Sequence, residues 1–236
     1  MAVIHKGDNE LKGRAQKNLL LSIVFTIPTL LYMFLFFTQS FHFPGFFHLL
    51  AIVPAAIGSY FWRQYDKLRS GIKGEERTTK ALANLPDGYE VFTSVKIATG
   101  EGRTELDQLI VGEKGIFIVE VKNHNGKIVG HEEDHSWVQH KVGQKGGRYT
   151  SNMKNPVKQV RRQVYLLSQY LKENKSQVWI EGVVLFSNRR ATVNVRTERT
   201  PVFSDPDQLS YYLSSYQPKR KPSTEQLNKV KNLLKR

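Results

Sequence analysis

The chain has 236 residues and a mass of 27.1 kDa, room for one domain with an appendage or for two small domains. Its 35 Lys and Arg against 21 Asp and Glu give a net charge of +14, which points to a polyanion or an anionic membrane surface as the partner rather than an acidic protein. Cysteine is absent, which excludes disulfide scaffolds, thiolate zinc sites, thiol nucleophiles and iron–sulfur clusters.

Residues 18–62 contain no Asp, Glu, Lys or Arg. Within that gap, 19–37 is apolar except for Ser22, Thr26, Thr29 and Tyr32, and at ~1.5 Å per residue it covers roughly 28 Å, about one hydrocarbon thickness. Gln39, Ser40 and His42 make a polar break, and 44–62 supplies a second span opened by Pro44. Pro28 and Pro54 are expected to kink the two helices. Lys6, Lys12, Arg14 and Lys17 precede the pair and Arg63, Lys67, Arg69 and Lys73 follow it, with no cation between, so both ends are expected in the cytoplasm. Tyr60, Trp62 and Tyr65 stand where an interfacial aromatic belt belongs. A cleaved signal peptide or a buried helix pair are the alternatives; the first lacks the short apolar region and small-residue site, the second does not need so long a charge-free run.

From residue 71 onward 28 Lys and Arg oppose 18 Asp and Glu, so most of the positive charge lies after the spans. The pattern predicts a short helix over 77–85 ended by Pro86-Asp87-Gly88, then a strand over 89–97. Runs at 105–111 and 115–121 flank Gly112-Glu113-Lys114-Gly115 and read as a hairpin, followed by strands at 126–130 and 137–142. An amphipathic helix is expected over 155–170, a buried strand over 178–186, and closing helices over 207–213 and 224–234. The expected fold class is α/β (α+β), and the expected organisation is a cytoplasmic segment 1–18, a transmembrane helical hairpin 19–62, a juxtamembrane linker 63–73, a domain 74–215 and a basic C-terminal helix 216–236.

The hairpin register carries the chemistry. With Glu113 and Lys114 central, Asp107 falls opposite Glu120 and Glu105 opposite Lys122, all on one face. Opposed strand positions have Cβ atoms ~4.5–5.5 Å apart, so two facing carboxylates repel unless a cation sits between them. Hard oxygen ligands without Cys point to Mg²⁺ or Mn²⁺. Strand alternation brings the Lys122 ammonium to the same side as Glu120, where it is placed to orient water or stabilise a phosphate. An exposed Glu120–Lys122 salt bridge on an ordinary strand is the alternative, opposed by the apolar run 116–119 just before Glu120. His124, His131, His135 and His140 do not have the spacing of a structural zinc site.

These residues also carry a resemblance. Gly71 and Gly74-Glu75, then Glu105, Asp107, Val111, Gly115, Glu120, Lys122-Asn123, Gly126 and Ile128, then Trp137, then Asn155-Pro156 and Gln159 stand in an order and spacing similar to the nuclease-related domain, NERD, over about 71–185. That family is placed by similarity in the PD-(D/E)xK nuclease superfamily. The resemblance implies a restriction-endonuclease-like mixed sheet flanked by helices and Mg²⁺-dependent (or Mn²⁺-dependent) phosphodiester hydrolysis, with DNA the expected substrate. It implies that Asp107 and Glu120 hold the metal, Lys122 positions water, Glu75 assists from the first helix and Gln159 steadies the site. Relatives with this later Gln often carry Tyr four residues on; here that residue is Gln163.

Lys141, Lys145, Arg148, Lys154, Lys158, Arg161 and Arg162 follow the site strands and are the expected contacts to nucleic acid, with Tyr149 available to stack on a base. A membrane-facing role for the same cations, at about 1 kcal/mol each, is the alternative. The functional expectation is a membrane-anchored, metal-dependent nuclease on the cytoplasmic face. Its competitor is a catalytically silent module that holds nucleic acid or another partner at the membrane.

Overall fold

Asn9 caps the first helix, α1 (Glu10–Phe37), through its side-chain oxygen, which accepts from the Lys12 N–H at 3.3 Å. The computed structural model describes residues 1–38, 45–143 and 146–235, so the break at Gln39, Ser40 and His42, and Lys145, lie outside the described residues. Among the described residues α1 alone is long and apolar enough to cross a membrane. The second helix, α2 (Gly45–Leu82), runs on without interruption where a span, a linker and a separate short helix were expected. The reason is local: 63–76 carries charge but no proline, and its Arg, Gln, Lys, Leu and Glu are good helix formers, so charge ends an apolar span without ending the helix.

Residues Asn9–Ile72 form one compact unit. Ser22 Oγ donates to the Gly58 carbonyl at 3.0 Å, Thr29 Oγ1 donates to the Ala51 carbonyl at 3.1 Å, and Tyr32 bonds His48, so the two helices run antiparallel. A side chain at Gly58 would place Cβ 2.6 Å from Thr26 Oγ1, so close approach needs glycine there. The outer faces remain apolar and exposed at Leu20, Ile27, Leu30, Phe34, Leu50, Ile52 and Val53.

Met1–Asp8 and Lys73–Arg236 form the other unit, mixed α/β with two sheets. Its strands are β1 (Val3–Lys6), β2 (Glu90–Thr99), β3 (Gly102–Gly112), β4 (Gly115–Lys122), β5 (Gly126–His131), β6 (Ser136–Val142), β7 (Arg148–Lys154), β8 (Ile180–Phe186), β9 (Ala191–Arg196) and β10 (Val202–Phe203). The helices are the last part of α2, then α3 (Pro156–Glu173), α4 (Pro206–Ser215) and α5 (Thr224–Leu234). The larger sheet has the order β1-β2-β3-β4-β8-β10, and the smaller β7-β6-β5-β9. β2, β3 and β4 form an antiparallel meander, and β8 returns parallel to β4.

Strand alternation divides the core. Leu109, Val111, Ile116, Ile118, Val184 and Phe186 pack with Val157, Val160 and Leu167 of α3 on one face. Val91, Ile110, Phe117, Val119, Val183 and Leu185 pack with Leu82, Leu85, Leu209 and Leu213 on the other. Trp137, fully buried, stacks on Phe186 and joins the smaller sheet to the α3 side. Asn155 caps α3 by accepting from Val157 N–H, while its amide donates to the Glu132 and Asp134 carbonyls at 2.9 and 2.7 Å. That one residue fixes both the start of α3 and the β5–β6 turn.

β1 was read as part of a charged terminal segment; it pairs parallel with β2 and is held by charge as well as backbone. Glu90 on β2 lies 2.7 Å from His5 Nε2 and accepts salt bridges from Lys231 at 3.2 Å and Lys235 at 2.9 Å. Burial favours its neutral form, but Lys235, His5 and Lys231 outweigh that and bring its pKa down to about 2. A depressed carboxyl stabilises the fold fully above its ordinary value of 4.5, and the contribution is lost as pH falls from there towards about 2. Glu90→Gln is therefore expected to cost about 2 kcal/mol at pH 7, after allowing for partial exposure of Lys235, and to cost nothing near pH 2. Thermal midpoints of parent and variant from pH 7 to pH 2 check this; parallel curves would rule it out.

Candidate active site

The β3–β4 ladder pairs Gln108 with Val119 through Gly112 with Gly115, the register expected from the turn. Asp107 and Glu120 are the next residues along it. There the ladder opens, and Asp107 Oδ2 accepts from the Val121 N–H at 2.8 Å. Across Asp107 on the other side, the β2–β3 register skips Ser94, which is buried in a left-handed conformation (φ 52°) between the pairs Thr93–Gln108 and Val95–Leu106. A serine held in that region costs about 1 kcal/mol or more, a local strain beside a polar cluster.

Glu120 and Lys122 follow Ile116 and Ile118 at a period of two, so they face α3. Glu120 is only 1% exposed. Its Oε1 accepts from Lys122 Nζ at 2.5 Å, and its Oε2 accepts from Gln163 Nε2 at 2.7 Å. Lys122 Nζ also donates to Gln159 Oε1 at 3.0 Å. Gln159 and Gln163 lie one helical turn apart on the buried side of α3, which brings both amides over the carboxylate. Gln163 Oε1 is buried and has no hydrogen-bond partner among the described residues.

Glu75 enters from α2. Gly74 makes that approach possible, since a Cβ there would lie 2.6 Å from Asn123 Cβ and 2.8 Å from Ser187 Oγ. Gln108 Nε2 donates to Thr79 Oγ1 at 3.0 Å and reaches the Glu75 carbonyl at 3.5 Å, tying the helix to β3. Burial, then the charge of Glu120 and that of Glu75, push the Asp107 carboxyl well above its ordinary range, against the Val121 N–H and the Lys122 charge. Asp107, Glu120, Lys122, Gln159 and Glu75 thus converge on one place. The residue that sequence reasoning did not assign is Gln163; its spacing of four from Gln159 on an amphipathic helix is the signal that points to it.

The residues expected to meet nucleic acid divide. Arg161 is committed to the buried Glu132 and donates to Thr200 Oγ1 at 3.2 Å, and Lys158 Nζ donates to the Glu133 carbonyl at 2.7 Å, so both lock loops around α3. Arg162 and Lys154 are exposed. Lys141 and Arg148 face each other's neighbours across β6 and β7, where Lys141 pairs with Tyr149 and Val142 with Arg148.

The nuclease-related domain family model matches residues 70–187, half of the chain, and so takes in every residue of the cluster. The chain belongs to the NERD family. The NERD match starts within α2 and ends just after β8, so β9, β10, α4 and α5 lie outside it. A Bacillus anthracis protein described as uncharacterized is 37% identical over 71 residues, which is 29% of this chain and 34% of that protein. The match thus spans about a third of the length of that curated relative. No solved structure gives a match.

Proposed function

We propose that this NERD protein is a membrane-anchored, Mg²⁺-dependent nuclease that hydrolyses phosphodiester bonds of nucleic acid, with DNA the preferred substrate, on the cytoplasmic face. The observation that carries the reading is the cluster itself: two carboxylates from adjacent strands, an ammonium 2.5 Å from one of them, and amides of α3 closing the side. Carboxylate ligands in a chain without Cys fit a hard dication, and the buried, unpartnered Gln163 Oε1 leaves an acceptor for a water in that shell. Mg²⁺ and Mn²⁺ are commonly bound by one or two carboxylates with water and substrate phosphate completing the shell. Asp107 and Glu120 would hold it, and bound there it would supply Lewis-acid polarisation of the phosphate.

The chain's own groups do the rest. Lys122 brings a positive charge beside the scissile phosphate and can orient an attacking water, while Gln159 fixes the ammonium and Gln163 fixes Glu120. Glu75 adds an acceptor on the α2 side. Full-length protein in detergent is expected to cleave DNA with Mg²⁺ and to lose cleavage on Asp107→Asn; a variant that cuts as well as the parent would remove Asp107 from the site.

The anchor reading extends α1 to a two-pass hairpin with both termini inside. It is supported by the charge-free run 18–62, the antiparallel contacts of the two helices and their apolar outer faces. A periplasmic-type reporter fused at Gly45 is expected to be exported while fusions at either terminus stay inside, and cytoplasmic labelling at Gly45 would overturn the topology.

A further inference from the structure

Beside the cluster, β5, β6 and β7 end around a cleft of about 710 Å³. Its wall carries Lys127, His140, Lys141, Arg148 and Arg190, together with Tyr149, which is 53% exposed, and among the described residues no carboxylate lines it. Several cations of this unit are spent on acids: Lys122 on Glu120, Arg161 on Glu132, Lys231 and Lys235 on Glu90. Among the described residues none of Lys127, Lys141, Arg148 and Arg190 has such a partner. These cations lining one concavity leave a positive potential that no acid among the described residues offsets.

The cleft is built by tertiary pairing. Lys127 stands opposite His140 and Lys141 opposite Tyr149, while Arg190 is brought in because its carbonyl accepts from the Gly126 N–H at 2.9 Å. Gly126 has φ 80°, and a Cβ there would sit 2.2 Å from the His140 carbonyl, so this corner requires glycine. Lys122 and Asn125, at the cleft edge, are three residues apart, a span of at most about 11 Å. A strand seated in the cleft would therefore present phosphates to Asp107, Glu120 and Lys122 within a few nucleotides, given ~3.4 Å per nucleotide along a helical strand. His124 lies on that path. Burial first, then the charges of Lys122 and Lys141, lower its pKa against a hydrogen bond to Gln139, so the two basic regions act on a common point.

We infer that this cleft is the seat of a single-stranded nucleic-acid segment, its phosphates held by Lys141 and Arg190 and one base stacked on Tyr149, which shares a sheet face with Lys141. The single strand is favoured over a duplex because an exposed ring among cations can stack only on a base that is already out of a helix. This rests on the nuclease reading for its direction but not for its test, which needs no cleavage.

The test is fluorescence anisotropy of a labelled 20-nucleotide oligodeoxythymidine with full-length protein in phosphatidylcholine nanodiscs, in EDTA, across a salt series. Lys141→Gln/Arg190→Gln should weaken binding and reduce the salt slope by about 1.4, the expectation for two lost single-strand phosphate contacts. Tyr149→Ala should weaken single-strand binding about 5- to 150-fold with an unchanged slope, Tyr149→Phe should restore it, and a blunt duplex should be affected less than the single strand. Parent-like affinity in these variants, or equal losses for duplex and single strand, overturns the proposal. So does loss of oligonucleotide binding when phosphatidylserine is introduced, which would assign the cleft to lipid headgroups. Cleavage by the parent together with parent-like binding by the cleft variants defeats this inference alone, whereas no cleavage by the parent together with impaired binding by the cleft variants defeats the nuclease reading alone.

Discussion

Asp107→Asn should make the metal-free protein more stable while lowering its cleavage of DNA by about 10²-fold or more. Asp107 faces Glu120 at the end of the β3–β4 ladder, with Glu75 approaching from α2, and its carboxyl is pushed up by burial and by those two charges. A carboxyl whose folded pKa is raised costs stability once pH passes its ordinary value of 3.8, so lowering pH from 7 towards that value should stabilise the parent. The amide removes that dependence and keeps an oxygen for the Val121 N–H. Relief of like charge on neighbouring strands contributes about 1 kcal/mol, or roughly 2–4 °C in a chain of this size. Mg²⁺ should reverse the order: at about 100 times its Kd it stabilises the parent by ~2.7 kcal/mol and the variant by much less. Scanning calorimetry of both proteins with EDTA and with Mg²⁺ decides it. A parent indifferent to Mg²⁺, together with an Asn variant that still cuts, would dissolve the metal site.

Lys122→Ala should act in the opposite sense on stability. Glu120 is buried at 1% exposure and its Oε1 is held by the ammonium, so truncating Lys122 leaves a carboxylate with only the Gln163 amide. Breaking a buried pair from one side costs about 3–5 kcal/mol, the lower end applying here because Lys122 keeps some solvent contact. A loss of cleavage in Lys122→Ala would then mix chemistry with folding. Glu120→Gln/Lys122→Ala removes the stranded charge and should recover most of the stability without recovering activity. Denaturant titration of the parent, Glu120→Gln, Lys122→Ala and the double variant gives the coupling; a value under about 0.5 kcal/mol would show that the pair contributes no stability.

Much of this was legible in the sequence because it was local. The two-residue turn at Glu113-Lys114 determined the register from Gln108–Val119 to Gly112–Gly115, which ends one pair short of Asp107 and Glu120 and does not reach the expected Glu105–Lys122 pair, while the strand period turns Glu120 and Lys122 to the same side. Asn155-Pro156 marked the start of α3, and the spacing of Val157, Val160 and Leu167 marked its buried side. Residues 63–73, expected as a linker, continue α2, because charge ends an apolar run while helix propensity continues through it. β7 went unread because Arg148–Lys154 lacks apolar alternation and is an edge strand whose order comes from pairing with β6.

The chain's own pattern determined the apolar, charge-free segment, the carboxylate pair and the lysine that accompanies it, since all three follow from periodicities of a few residues. Only the tertiary structure decided which cations are free. Arg161 looks as exposed in sequence as Arg148, yet a buried Glu132 supplied by the β5–β6 turn takes it, whereas Lys127 and Arg190, 63 residues apart, are brought to one cleft by the parallel pairing of β5 with β9. A charge is spent or spare according to its neighbours in space, and long-range strand pairing chooses those neighbours.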